Sequence, residues 1–109
     1  MEEITRTRHN WFNGRTNSIH GWTEYLKNGK RHRLDGPAVI GDDGSEFWFN
    51  DGIQHRDDGP AVTNFDGNEY WYQNGLVHRE DGPAIIRTDG SERWVRHGET
   101  IGSSMRIGQ

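Results

Sequence analysis

Three copies of one heptapeptide hold most of the residues in this chain that could do chemistry. His32-Arg33-Leu34-Asp35-Gly36-Pro37-Ala38 returns as His55-Arg56-Asp57-Asp58-Gly59-Pro60-Ala61 and again as His78-Arg79-Glu80-Asp81-Gly82-Pro83-Ala84. An imidazole three residues from a carboxylate could move protons, ligate a metal or close a structural corner. Proton transfer in hydrolysis needs a nucleophile or an activated water held by unlike partners, and no nucleophile recurs beside the pair. A shared metal needs ligand atoms about 2 Å from the ion, whereas equivalent positions two or three strands apart in a sheet lie about 10–14 Å from each other. A separate His/Asp site in each copy would be short of ligands. The expectation is therefore no catalytic residue, no metal and no cofactor, with His32, Arg33, Asp35, His55, Arg56, Asp58, His78, Arg79 and Asp81 acting as a repeated structural corner.

Each residue type has a place in such a corner. Gly36, Gly59 and Gly82 permit a backbone turn that other residues resist, and the prolines after them fix φ and remove a donor. The alanines that follow leave room for an aromatic neighbour. Asp35, Asp58 and Asp81 can accept a local backbone N–H, and the arginines two residues earlier can pair with a nearby acid. The histidines are expected to stack on an aromatic or to hydrogen-bond its backbone.

The corner belongs to a longer repeat. The units 23–45, 46–68 and 69–91 align column by column with a period of 23, and a fourth opens at 92 and decays through 109. Residues 1–22 read as a degenerate opening unit that caps the array. Asn-Gly at 28–29 and 74–75, and Asp-Gly at 43–44, 51–52, 66–67 and 89–90, separate short aromatic or β-branched runs. Such pairs suit two-residue hairpin turns with φ > 0 at both positions. No segment keeps a helical period with caps. The fold expected is all-β, a single domain built as an antiparallel meander of tandem 23-residue β-hairpin repeats in an elongated, twisted sheet. Alternation places Tyr25, Trp48, Trp71 and Trp94 on one face and Leu26, Phe49, Tyr72 and Val95 on the other, so one ladder must be covered or curled around.

Bulk properties narrow the function. The 109 residues suffice for one small domain, with 29% apolar and 28% charged residues and five tryptophans. The chain has no cysteine, so disulfides and thiolate metal sites are excluded. Neither an apolar leader nor a membrane span is evident, which points to the cytoplasm. Net charge is −4, and residues 23–90 hold 13 acidic against 7 basic residues. That balance opposes binding to phosphate backbones and anionic lipid, and with them the use of the aromatic ladders as a platform for single-stranded nucleic acid.

The strands "EFWFNDG" (46–52), "EYWYQNG" (69–75) and "ERWVRHG" (92–98), with "EYLKNG" at 24–29, resemble MORN repeats over residues 23–98. The His-Arg-x-Asp-Gly-Pro-Ala corner departs from the founding MORN form and more nearly resembles repeat proteins of phages, large viruses and bacteria. The resemblance implies a scaffold or binding surface and no catalytic residues. The function expected is a non-enzymatic protein–protein interaction module, in its sharpest form a small phage inhibitor of a bacterial defence protein such as an anti-CRISPR, acting in the host cytoplasm. Partner contacts belong where the repeats differ: Lys30, Arg31, Ile53, Gln54, Leu76 and Val77 beside the Asn-Gly or Asp-Gly tips, and Gly41, Asp42, Asn64, Phe65, Arg87 and Thr88 before the other turns. The open edges of such a sheet also offer a route to a homodimer. The alternatives are a nucleic-acid-associated protein or DNA mimic using Asp42, Asp43, Asp57, Asp58, Glu80 and Asp81, and, behind it, a hydrolase using His55 with Asp58.

Overall fold

The computed structural model describes residues 4–105, so residues 1–3 of the expected N-terminal cap and residues 106–109 of the expected C-terminal cap lie outside it. Among the described residues there is no helix, and so none long and apolar enough to cross a membrane. The chain opens with a hairpin in which β1 (Thr5–Asn13) pairs with β2 (Ser18–Lys27) over nine residue pairs, a longer element than a decayed repeat would supply. The short β3 (Lys30–Arg31) closes a second hairpin with the end of β2. From there each unit adds the same pieces: β4 (Val39–Gly41), β5 (Glu46–Phe47), β6 (Phe49–Asn50) and β7 (Ile53–Gln54), then β8 (Val62–Thr63), β9 (Glu69–Tyr70), β10 (Tyr72–Gln73) and β11 (Leu76–Val77). β12 (Ile85–Ile86), β13 (Ser91–Arg96) and β14 (Glu99–Met105) complete the chain.

The main sheet is antiparallel and open, in the order β1-β2-β4-β5-β8-β9-β12-β13-β14, with β3 beside β2. The pairs β6–β7 and β10–β11 stand in a second row. Backbone bonds stitch that row together: Gly52 N donates to Arg31 O, Gly75 N to Gln54 O and Gly98 N to Val77 O, at 2.8, 2.8 and 2.9 Å. The two rows are halves of the same long strands. Trp48 joins them, its N–H donating to Ala61 O in one row while its carbonyl accepts from His55 N in the other. Opposite Trp48 the partner strand leaves the ladder at Arg56 and returns at Ala61. The corner is thus a five-residue loop ejected from the middle of a long hairpin. Nine long strands at about 4.8 Å spacing span about 40 Å, in keeping with a plate of 42 × 41 × 19 Å.

Two kinds of turn join the strands, and they differ from the single kind expected. At the 28–29, 51–52, 74–75 and 97–98 tips both residues have positive φ, from 49° to 52° at the first position and 78° to 85° at the glycine. These are the two-residue turns whose twist matches the flanking strands. At the other end only Gly44, Gly67 and Gly90 are positive, near 92°, and Gly44 N donates to Gly41 O at 3.0 Å while Gly41 N donates to Ser45 O at 2.9 Å. The Asp-Gly pairs there belong to three-residue loops, a type I turn followed by a left-handed glycine, and not to two-residue turns.

The faces separate as alternation requires. Cross-strand partners Glu24, Val39, Phe47, Val62, Tyr70, Ile85, Arg93 and Ser103 form one continuous ladder across eight strands. Trp48 and its equivalents point to the opposite face, where the ejected loops lie over them. The buried apolar set is small: Ala38, Val39, Ala61, Ala84, Ile85 and Val95. Ala84, Ile85 and Val95 cluster with Tyr70, Trp71 and Val77.

Candidate functional site

The corner loops resolve into two devices. In the first, an arginine turns back over the aromatic ring of its own unit. The guanidinium carbons of Arg33, Arg56 and Arg79 lie 4.1, 3.9 and 3.8 Å from the ring centres of Tyr25, Trp48 and Trp71. Each Nε donates to Asp35, Asp58 or Asp81 at 3.2–3.3 Å, and each Nη1 donates to the carbonyl of Pro37, Pro60 or Pro83 at 3.1–3.2 Å. A planar group with donors along its edge can stack and hydrogen-bond at once, which an ammonium cannot do. The aspartates thus receive the arginine, where a local backbone N–H was expected.

The same contact revises the role of the corner glycines. Gly36, Gly59 and Gly82 do not have positive φ. A Cβ at these positions would sit 2.8, 2.6 and 2.9 Å from the guanidinium carbon of the same loop. Glycine leaves this space to the guanidinium, which a side chain here would displace, and the corner does not use a positive φ.

In the second device, histidine crosses to the next unit. Nδ1 of His32, His55 and His78 accepts the backbone N–H of Asp51, Asn74 and His97 at 2.9, 3.0 and 3.0 Å. These acceptors serve the first residue of the following two-residue turn. With Nδ1 accepting, the ring proton sits on Nε2, which faces Asp57 from His55 at 2.8 Å and Glu80 from His78 at 2.9 Å. His32 itself is buried.

That tautomer bears on the metal and hydrolase chemistries. His78, Glu80 and His97 bring ligand atoms within 4.8 Å of one another, with the two rings 4.4 Å apart. The neighbouring unit thus supplies a third group that a corner considered alone lacks. A metal at His78 Nε2 would drive the proton onto Nδ1, against the N–H of His97, so the corner's own hydrogen bond opposes ligation. His55 and Asp58 are not brought together; His55 meets Asp57 and Asn74, while Asp58 holds Arg56.

The twelve residues singled out for partner contact fall at opposite ends of the strands. Lys30, Arg31, Ile53, Gln54, Leu76 and Val77 flank the two-residue tips, and Gly41, Asp42, Asn64, Phe65, Arg87 and Thr88 lie at the three-residue turns. Several are committed to the scaffold. Asn64 Oδ1 accepts from Asp66 N and Asn68 N, both at 3.0 Å. Val77 packs on the core cluster, and Arg31 binds Glu24 and lies over Phe49. Lys30, Ile53, Leu76, Phe65 and Thr88 remain exposed. Lys30, Ile53 and Leu76 form a row, since each side chain lies 3.4–3.6 Å from where a Cβ of Gly52, Gly75 or Gly98 in the next tip would be. Leu34, Trp11, Phe12 and Ile101, also exposed, escaped the comparison of columns. Leu34 could have been found there, as the one apolar residue at the third corner position.

A second feature was not anticipated. At the β1–β2–β4–β5 end, a cleft of about 500 Å³ is lined by Trp11, His20, Trp22, Val39, Gly41 and Phe47, with Asp42, Asp43 and Arg31 at its polar side. Arg8 grips Asp42 through both carboxylate oxygens, with Nη1–Oδ1 at 2.6 Å, and this guanidinium holds the Asp42 carboxyl below its ordinary range. Asp43 is also held low, chiefly by hydrogen bonds from Ser45. No known protein family, curated protein or solved structure matches the chain.

Proposed function

We propose that this protein is a non-enzymatic binding module that docks a protein partner along the row of two-residue tips. The observation that carries the proposal is the pair Ile53 and Leu76, 51% and 49% exposed, set about 9.6 Å apart by two strand spacings. In a chain that buries so few apolar side chains, these two stay in water while the columns shared between units are consumed by the Arg and His devices. Lys30 and Glu99 occupy the same column at either end, giving an apolar centre with a charged rim, as interfaces have. The resemblance to bacterial and phage repeat proteins supports a bacterial protein as partner, in its sharpest form a defence protein that the module inhibits.

The test is a tagged capture from bacterial lysate, treated with nuclease, comparing the natural chain with an Ile53→Glu/Leu76→Glu double variant. Surface changes of this kind alter stability by less than about 0.5 kcal/mol, so the melting temperatures should agree. One stoichiometric partner held by the natural chain and lost by the variant is the expected result. Equal capture by both, or capture that nuclease abolishes, would overturn the proposal.

A second surface favours mimicry of nucleic acid. Asp35, Asp57, Asp58, Glu80 and Asp81 are exposed on successive loops of one face, again about 9.6 Å apart from loop to loop. If these carboxylates are the docking surface, the captured partner is a DNA-binding protein, and duplex DNA competes it off.

A further inference from the structure

The aromatic cleft takes no part in the tip row, and neither Ile53 nor Leu76 lines it. It exists because of one departure between the units. Position 41 is glycine, where the equivalent positions carry Asn64 and Arg87. Gly41 is the cross-strand partner of Trp22, and it shares a face with Val39 and Phe47 by alternation and register. A side chain there would meet Asp43 and Ser45 at 2.7 and 3.6 Å. Its absence admits the Asp43 carboxylate to the floor of the cleft, beside the aromatic walls. Trp11 stacks on His20 at 4.6 Å and Trp22 on His9 at 4.8 Å, so both indoles are braced from one side. The volume falls within the 300–1,000 Å³ usual for small-molecule sites.

The charges around the cleft leave one carboxylate over. Arg8 is matched by Asp42 and Arg31 by Glu24. Asp43 has no ion-pair partner among the described residues, and one of its oxygens accepts the Ser45 N–H at 2.9 Å. Aromatic faces with a net negative rim attract a cation. Free acceptors are scarce, because Asp42 is gripped at both oxygens and Asp43 at one. A guanidinium with five N–H donors, or a primary ammonium with three, would leave donors unpaired in an apolar cleft. A cation with a methyl shell brings none.

We propose that the cleft formed by Trp11, Trp22, Phe47, Gly41 and Asp43 binds a quaternary or trimethylated ammonium group. The same chemistry occurs in free choline-like molecules, in the choline headgroup of lipids and in trimethyl-lysine of a protein.

The experiment titrates the full chain with choline and with its uncharged isostere, in which a carbon replaces the nitrogen, following tryptophan fluorescence and heat. Choline should bind at least about tenfold more tightly, a difference of 1.4 kcal/mol. Gly41→Asn, which copies Asn64, should fill the floor and weaken choline about tenfold. Asp43→Asn keeps an oxygen for Ser45 but removes the charge, and should weaken it about fivefold. Thermal melts confirm that both variants fold, and Ile53→Glu/Leu76→Glu should leave choline binding unchanged. Equal binding of the isostere, choline binding indifferent to Gly41→Asn, or no saturable signal at millimolar choline would overturn the proposal. With choline binding established, phosphatidylcholine vesicles and a trimethyl-lysine peptide separate the sources: tighter binding of either names it, and tighter binding of neither leaves the free small molecule.

Discussion

At the scale of the residue, the arginine and the glycine of each corner are one object. The guanidinium lies between an aromatic ring and a backbone that has no Cβ, so removing either partner releases the other. Arg56→Ala should cost about 1–2 kcal/mol through the lost stack and hydrogen bonds, and Arg56→Lys a similar amount, because an ammonium cannot lie flat on Trp48. Gly59→Ala should cost a comparable amount in the natural chain but little in the Arg56→Ala background. Urea titration of the double-mutant cycle checks this coupling. Additive costs would instead mean that glycine is needed for its backbone conformation. His55→Ala should cost about 0.5–1.5 kcal/mol, the net worth of one hydrogen bond whose donor stays open to water, and the Asn74 amide should exchange faster with solvent. Sequence reasoning located these residues but not their bonds. Identity at every repeat shows that a position is needed, while the choice between φ and space for Gly59 depends on where a flexible Arg56 side chain finally rests.

At the scale of the element, the three-residue turns divide by chemistry. In the first and last, a carboxylate closes the turn: Asp43 accepts Ser45 N–H, and Asp89 accepts Ser91 N–H and Oγ–H at 2.8 and 2.7 Å. In the middle turn Asn64 does this work with an amide oxygen. The hydrogen bonds from Ser45 and Ser91 hold the Asp43 and Asp89 carboxyls below their ordinary 3.8. A carboxyl depressed on folding contributes stability that is complete above its unfolded value and fades as pH falls through the lower folded value. Amide exchange around 41–45 and 87–91 should therefore rise as the solution is acidified below about pH 4, with 64–68 unaffected apart from the intrinsic rate. Asp89→Asn should remove the acid dependence of its turn. Equal acid response of all three turns would show that the carboxylates do not close them. The punctuation Asp-Gly was legible as a turn from the sequence. Its type was not, because Asp43-Gly44 and Asp51-Gly52 are the same dipeptide, and only the strand register around them decides whether two residues or three form the loop.

At the scale of the whole molecule, a single sheet with a few buried alanines, valines and one isoleucine is held by contacts between neighbours. Each unit touches those beside it through ladder bonds and through its histidine, and among the described residues no side chain spans the plate. Stability in such an array is a sum of unit and nearest-neighbour terms. Arg79→Ala should therefore speed amide exchange in 69–91 and in β13, while β1 and β2 keep their protection. A uniform rise across the sheet would mean that the plate opens as one cooperative body. The alternation of faces and the growth of the meander could be read directly from a strict repeat of aromatic columns. The cleft could not, because it arises where a repeat position lacks a side chain, beside Trp11 and Trp22 from a segment outside the aligned units.

Every lock in the plate closes either within 23 residues or against the unit that follows. His32 accepts from the next unit a backbone N–H at the start of a tip, and Asn74 offers the same group as Asp51. Excising residues 46–68 as a block would set His32 against Asn74, join Ser45 to Glu69 in place of Glu46, and leave each arginine above its own ring. The breadth of the protein is thus a countable property, adjustable by whole pairs of strands through duplication or loss, whereas its height is fixed by the length of one hairpin. Any surface the tips present to a partner would lengthen or shorten in the same discrete steps.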